Sequence, residues 1–325
     1  MAAHVSLVDV RAAAERIGGS IVRTPLERSA ALSDFCGVDV WLKLECFQLT
    51  GSFKLRGALN ALRLLGGARE TVVTASAGNH GLGVARAARL VGMRAIVVVP
   101  VTASQVKVEA LRQSGAELLQ VGDTYDLAEA AAIALARERQ LSFISAYNDV
   151  GVVAGGGTIA LEIFEDLPDV RTLIVPAGGG GLISGVGVAA HGLDPRAVVV
   201  GVQSEASPAL HAALEHGRLV PVEVLPSLAD GLAGNVEAGS ITFELIQDYV
   251  RGVELVSEAD IADAMRWLLL NERVVVEGSA AVGVAALLQR TVEPDGPVAV
   301  VLTGRNVARS VLQEYVHAPV RIPSL

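Results

Sequence analysis

The chain has 325 residues, half of them hydrophobic, and a formal net charge of −9 at neutral pH. That length supports one large domain or two ordinary ones with a substantial core. The acidic balance and the scattered basic residues argue against a nucleic-acid surface, and no apolar run approaches the roughly 20 residues that cross a bilayer.

The start, MAAHVSLVDVRAAAERIGG, has no apolar core behind a basic segment, so no secretory signal is expected. Cys36 and Cys46 form neither a CxxC pair nor a disulfide framework and read as ordinary buried thiols. A soluble cytosolic α/β protein is the expected class.

In chain order, the strand-like runs are DVWLKLE (39–45), TVVTAS (71–76), AIVVVP (95–100), AELLQV (116–121), TLIVPA (172–177), AVVVGVQ (197–203) and VAVVLT (298–303). Helical patterns fill 55–65, 78–91, 104–114, 125–139, 157–165, 181–192, 258–272, 279–290 and 306–316. Apolar runs without alternation predict strands buried on both faces, as in a parallel sheet covered by helices. The βαβα order predicts an open, doubly wound α/β architecture with ligands at the carboxyl ends of the strands. The block from about 52 to 148 reads as one compact unit.

Four strand ends carry polar or glycine-rich loops. TASAGNHGLGVARAA (74–88) brings Ser76, Asn79 and His80 into a helix, and VPAGGGGLISGV (175–186) places four consecutive glycines before another. Glycines let bare backbone N–H groups approach an anion, and a helix N-terminus adds favourable electrostatics, so a phosphate is the natural guest. A tight strand-to-helix turn alone needs only one or two. The third loop, SAYNDVGVVAGGGTIALEI (145–163), carries Asn148, and the last, VLTGRNVARS (301–310), follows a strand with Thr303, Gly304, Arg305 and Asn306. A dinucleotide is disfavoured, because no GxGxxG is followed by an acid at the required distance, and no GxxxxGK[ST] exists.

The 26 basic residues include only three lysines, Lys43, Lys54 and Lys107. Arginine stays protonated, so a lysine retained at a helix start in TGSFKLRGALNAL points to amine chemistry. Lys43 sits in a strand pattern from which it can reach a sheet edge or solvent, and Lys107 in a helix with Glu109 and Arg112 reads as solvated. A lysine amine, a phosphate cradle and a polar donor such as Asn79 together suggest pyridoxal phosphate.

SFKLRGA, SAGNHGLG, AGGGGL and LADG, in that order, resemble the fold-type II pyridoxal-phosphate enzymes of the threonine/serine dehydratase and serine racemase family. The resemblance covers residues 5–316. It implies a tryptophan synthase β-like architecture of two open α/β domains with the cofactor between them. Residues 1–51 and 149–325 would form the large cofactor-binding domain and 52–148 a small mobile one. It also implies that Lys54 is the Schiff-base lysine and the acid/base for the substrate α-proton, with Ser52 and Phe53 shaping the pocket. Asn79 would bond the cofactor's ring oxygen, Gly178, Gly179, Gly180, Gly181 and Leu182 its phosphate, and Thr303 its pyridine nitrogen. Ser76, Gly78, His80 and Asn148 would embrace the substrate carboxylate, with Ala77 beside them.

The implied reaction is β-elimination, turning a β-hydroxy amino acid of the L-threonine or L-serine type into a 2-oxo acid and ammonia. Ala77 stands where serine racemases place a second acid/base, so racemisation is expected to be minor. Arg305, Gly156 and His211 depart from the family pattern and leave the substrate open. A hydroxyectoine-derived amino acid, 3-hydroxyaspartate and phenylserine are alternatives, as is a non-catalytic pyridoxal-phosphate binder. A divalent-metal site known in some relatives would use Glu205 and the Ala209 carbonyl, but His211 replaces its aspartate and suits Mg²⁺ or Ca²⁺ poorly. A homodimer without nucleic-acid or membrane partners completes the expectation.

Overall fold

The unalternating apolar runs become parallel strands with helices on both sides. The computed structural model describes residues 5–66 and 71–317, so the first four residues of the opening segment and the last eight of the chain lie outside it. The chain begins with α1 (Leu7–Ile17), whose N-cap Ser6 exchanges hydrogen bonds with Asp9, then β1 (Leu26–Ser29), α2 (Ala30–Cys36) and β2 (Val40–Lys43). A 3-10 turn at Glu45–Phe47 leads to α3 (Lys54–Leu64), β3 (Thr71–Ala75), α4 (Asn79–Val91), β4 (Arg94–Val99), α5 (Gln105–Gln113), β5 (Glu117–Gln120), α6 (Tyr125–Glu138) and β6 (Ser142–Phe143). There follow α7 (Val150–Asp166), β7 (Thr172–Pro176), α8 (Gly181–Leu193), β8 (Val198–Ser204), α9 (Ala209–His216), α10 (Ile241–Tyr249) and β9 (Gly252–Val256). The last elements are α11 (Glu258–Trp267), a π turn at Leu268–Glu272, α12 (Gly278–Leu288), β10 (Val298–Val301) and α13 (Arg309–His317).

Among the described residues the strands make two sheets. One has the order β1-β2-β10-β7-β8-β9, parallel except where β1 meets β2. The other, β5-β4-β3-β6, is parallel throughout. Burial runs the full length of the central strands: every residue of β7 and β10 is buried, as expected for a sheet covered on both faces. No described helix is long and apolar enough to cross a membrane.

Helix α3 packs against α4, beside the four-stranded sheet, and against α7, which lies on α8 beside the six-stranded sheet. The sequence places a helix at 157–165 after a glycine-rich loop. In fact α7 begins at Val150, capped by the Asp149 carboxylate, and holds all four glycines of that segment, Gly151 and Gly155 to Gly157, inside it. A Cβ at Gly155 would lie 2.6 Å from Arg56 O, and one at Gly157 2.6 Å from Gly185 O. Gly155 and Gly157 let α3, α7 and α8 approach backbone to backbone, and that packing outweighs their poor helix propensity.

Lys43 corrects a second expectation. It is fully buried, and its Nζ donates to Thr24 O at 2.7 Å and to Glu162 at 2.6 Å. Arg56 joins the same cluster with Glu45 and Glu162, so α3, β2 and α7 share one buried ionic knot. The pattern that predicts 258–272 as one α-helix instead yields α11 followed by the π turn, closed by Arg273 in the left-handed region.

Candidate active site

Lys54 opens α3 behind a loop stitched to the end of β10: Phe53 N–H donates to Thr303 O at 3.0 Å, and Ser52 bridges Gly304. Its Nζ donates to Ala146 O at 3.1 Å and stands 5.2 Å from the Phe53 ring centre. Desolvation pulls the amine down to about 8, while the charge of Glu277 pulls the other way. A neutral amine is thereby available near physiological pH.

The glycine loop joins β7 to α8. Among the described residues, no N–H group from Gly178 to Leu182 donates to a protein acceptor. Gly180 adopts φ +91°, and a Cβ on Gly179 would sit 2.4 Å from the Tyr147 ring. At Gly181 a Cβ would lie 2.8 Å from Tyr147 Cα, so the loop is pressed against the segment that follows Ala146, the Lys54 acceptor. Thr242 Oγ1 braces the turn by donating to Gly179 O at 2.8 Å. Free N–H groups at a helix start make an anion cradle.

Asn79 opens α4. Its Nδ2 donates to Glu277 at 2.6 Å, and its Oδ1 accepts from Asn306 Nδ2 at 2.6 Å. Glu277 is buried just before α12, and its N–H donates to Gly304 O. Burial, then the neighbouring Asp230, pushes its carboxyl up to about 7. Thr303 is buried beside this group at the end of β10. The sequence reading missed Glu277, since VEGSAAVG offers only an acid before a small-residue helix.

The other expected substrate residues are partly committed elsewhere. Ser76 Oγ accepts from Gly78 N–H at 3.1 Å, and Ala77 packs toward the Val97 and Leu111 cluster. The His80 ring is buried, with Nε2 3.1 Å from Ile144 O and Nδ1 unpartnered. Burial and then the charge of Lys54 push this imidazole down to about 3, so it is neutral. Asn148 Oδ1 accepts from Ile241 N–H at 3.0 Å. An approaching carboxylate would therefore meet the backbone N–H groups of Asn79 and His80, which have no protein acceptor among the described residues, rather than the imidazole.

Three other positions singled out from the sequence take the following places. Arg305 is exposed and stacks 5.0 Å from the Phe47 ring centre. Lys107 is only half-exposed and pairs with Asp230 at 2.6 Å, joining α5 to the loop before α10. Glu205 is exposed and Ala209 buried at the start of α9, while His211 turns Nδ1 to Val253 O at 2.6 Å. Among the described residues no group of three or more His, Cys, Asp or Glu could hold a metal ion.

Residues 17–304 match the family described as pyridoxal-phosphate dependent enzyme. The chain is 42% identical over 315 residues to an L-threonine ammonia-lyase of Thermotoga maritima, covering 96% of this chain and 78% of that protein. It is 40% identical over 286 residues to the catabolic L-threonine dehydratase of Escherichia coli K12, covering 87% of each. A solved maize serine racemase superposes with a TM-score of 0.90 at 30% identity, over 96% of this chain and 97% of that one. With this match across most of its length, and with the lysine, glycine loop and strand-end residues of its motifs gathered at one place, the chain belongs to the pyridoxal-phosphate dependent enzymes.

Proposed function

We propose that this enzyme is an ammonia-lyase acting by β-elimination on β-hydroxy amino acids of the L-threonine and L-serine type, releasing a 2-oxo acid and ammonia. The observation that carries the reading is the Lys54 amine, desolvated toward neutrality and set near two helix starts whose N–H groups are free. The residues fit the cofactor: a desolvated amine, among the described residues outside any ion pair and held only by the Ala146 carbonyl, for its aldehyde, a glycine cradle that no Cβ could enter for its phosphate, and Asn79 and Thr303 for its ring. When bound, pyridoxal phosphate supplies the electron-withdrawing system that acidifies the substrate α-proton.

The protein's part divides by position. Gly178 to Gly181 and Leu182 hold the phosphate through backbone N–H groups and the dipole of α8. Asn79 addresses the ring oxygen, Phe53 packs beside the lysine, and Thr303 offers the ring nitrogen a neutral hydroxyl. Lys54 carries the covalent link and then, as a free amine near its own pKa, takes the α-proton. The substrate carboxylate faces the start of α4, where Ser76 and Gly78 shape the loop and the N–H groups of Asn79 and His80 point outward. Residues 52–148 act as a small domain closing on the rest, with the Lys107–Asp230 pair crossing between them. The enzyme works as a homodimer in the cytosol.

The test is direct. Purified protein loaded with pyridoxal phosphate should be yellow, lose the colour in Lys54→Ala, and release 2-oxo acid from L-threonine and L-serine ahead of 3-hydroxyaspartate, phenylserine and other hydroxy amino acids. Colourless protein after loading would overturn the cofactor assignment. Colour without 2-oxo acid release from any of these would overturn the activity.

A further inference from the structure

Glu277 has no part in the roles just assigned, yet the site is built around it. Its carboxylate receives the Asn79 Nδ2 proton at 2.6 Å and a backbone N–H from Asn306. Gly304 leaves room for nothing more: a Cβ there would lie 2.4 Å from Glu277 Oε1 and 3.2 Å from Asn79 Nδ2. Asn306 closes the ring of contacts, since its Nδ2 donates both to Asn79 Oδ1 and to Thr50 O. An amide nitrogen has two hydrogens. With one committed to Glu277 and the oxygen committed to Asn306, the second Nδ2–H of Asn79 has a single fixed direction.

The charged surroundings are few. The charge of Glu277 opposes the desolvation of Lys54, and neutral His80 is the other titratable group coupled to that amine. On its own far side Glu277 feels Asp230 and Lys107, which are paired to each other. The ionised carboxylate is therefore the counter-charge for a proton held on the Lys54 nitrogen.

We propose that Glu277 is a positioning residue for the cofactor, with two separable effects: its oxygen fixes the Asn79 amide for the ring oxygen, and its negative charge keeps the Lys54 nitrogen protonated in the loaded enzyme. The inference rests on the cofactor reading given above. Glutamine at this position keeps an acceptor for Asn79 and removes the charge; alanine removes both.

The experiment uses the loaded enzyme and reads colour and affinity rather than turnover. The yellow absorbance, which reports a protonated lysine–cofactor link, is titrated toward alkaline pH, and the dissociation constant of pyridoxal phosphate is measured by titrating cofactor-free protein. Glu277→Gln should lose the yellow form about one pH unit earlier than the parent, in line with removal of a nearby opposite charge. Its cofactor affinity should stay within about twofold, because the hydrogen bond is retained. Glu277→Ala should show the same earlier loss and bind cofactor about tenfold more weakly, the effect of one hydrogen bond's worth of orientation. A Glu277→Gln titration that overlays the parent's would overturn the electrostatic half. Unchanged affinity in Glu277→Ala would overturn the positioning half, and Asn306→Ala, which loosens Asn79 from the other side, checks that half if the alanine variant fails to fold. Failure of the underlying reading looks different: the parent itself would show no colour dependent on Lys54.

Discussion

Arg56 and Glu45 form an ion pair sealed from solvent, Nη2 to Oε1 at 2.8 Å with neither side chain exposed. Arg56 also reaches Glu162 at 2.7 Å, and Lys43 meets the same Glu162 at 2.6 Å. The knot fastens α3 two residues past Lys54, so the helix start that carries the amine cannot drift. Removing one partner strands a buried charge. Arg56→Leu should lower unfolding free energy by about 3–5 kcal/mol, read by urea denaturation. Arg56→Lys should not rescue it, because an ammonium cannot make the forked contacts to two carboxylates. A loss under about 1 kcal/mol for Arg56→Leu would show that the knot has little net worth.

Gly181 and Gly156 differ in whether a side chain could replace them. At Gly181 a side chain would run into Tyr147 Cα at 2.8 Å, whereas at Gly156 the nearest atom to a Cβ is Leu182 Cα at 3.6 Å, ordinary contact. Gly181→Ala should weaken pyridoxal phosphate at least about tenfold, since the cradle must move off the Tyr147 segment. Gly156→Ala should bind cofactor normally and gain up to about 1 kcal/mol, because it removes a glycine from the middle of α7. Equal affinities for the two variants would contradict this reading of the loop.

The contrast between these glycines also shows where the sequence is legible. The parallel strands declare themselves by unbroken apolar runs such as TLIVPA and VAVVLT, which need burial on both faces. Lys54 and the four-glycine loop stand out because each sits next to a turn, where chemistry must be local. Glu277 leaves no local trace: its meaning lies in contacts with Asn79 and Asn306, which depend on how α4, α12 and the end of β10 converge. Lys43 is hidden in the same way, since a lysine in a strand looks solvated until Glu162 arrives from α7. His80 invites attention for its ring, but the fold turns the ring inward and leaves only its backbone at the helix start. Strands β1, β6 and β9 lack a pattern of their own and are fixed by pairing with β2, β3 and β8.

The desolvated amine makes the cofactor-free protein pH-sensitive in a definite direction. Lys54 falls from 10.5 in the open chain to about 8 in the fold, chiefly by burial. Between those values the unfolded chain holds a proton that the folded one does not, so stability rises with pH across that window. Below about 8 both states hold it and the full penalty applies, on the order of 3 kcal/mol. Lys54→Met, which keeps the bulk without the charge, should therefore stabilise cofactor-free protein at about pH 7 and lose that advantage above about pH 10. Glu277 works in a lower window: raised from 4.5 to about 7, it binds its proton more tightly in the fold, and its contribution falls as pH rises between those values. A Lys54→Met advantage that stayed constant from neutral to alkaline pH would contradict the assignment.

Ala77 bears on the stereochemical outcome. It lies between Ser76 and Gly78, in the loop that leads into α4, and its methyl group has no proton to exchange. Elimination needs only one base, the role proposed for Lys54, whereas inversion of the α-carbon needs a donor on the opposite face. The parent enzyme should accordingly convert L-serine to 2-oxo acid with no accumulation of D-serine, as followed by chiral chromatography. Ala77→Ser places a hydroxyl at this position with almost no added volume, and the loop is only partly buried, so the fold should tolerate it. The variant should form D-serine alongside the 2-oxo acid, with deuterium from solvent incorporated at the α-carbon of both enantiomers. D-serine from the parent would mean that another group already protonates the far face. Its absence from a folded, active Ala77→Ser variant would mean that a hydroxyl at this position cannot reach the α-carbon.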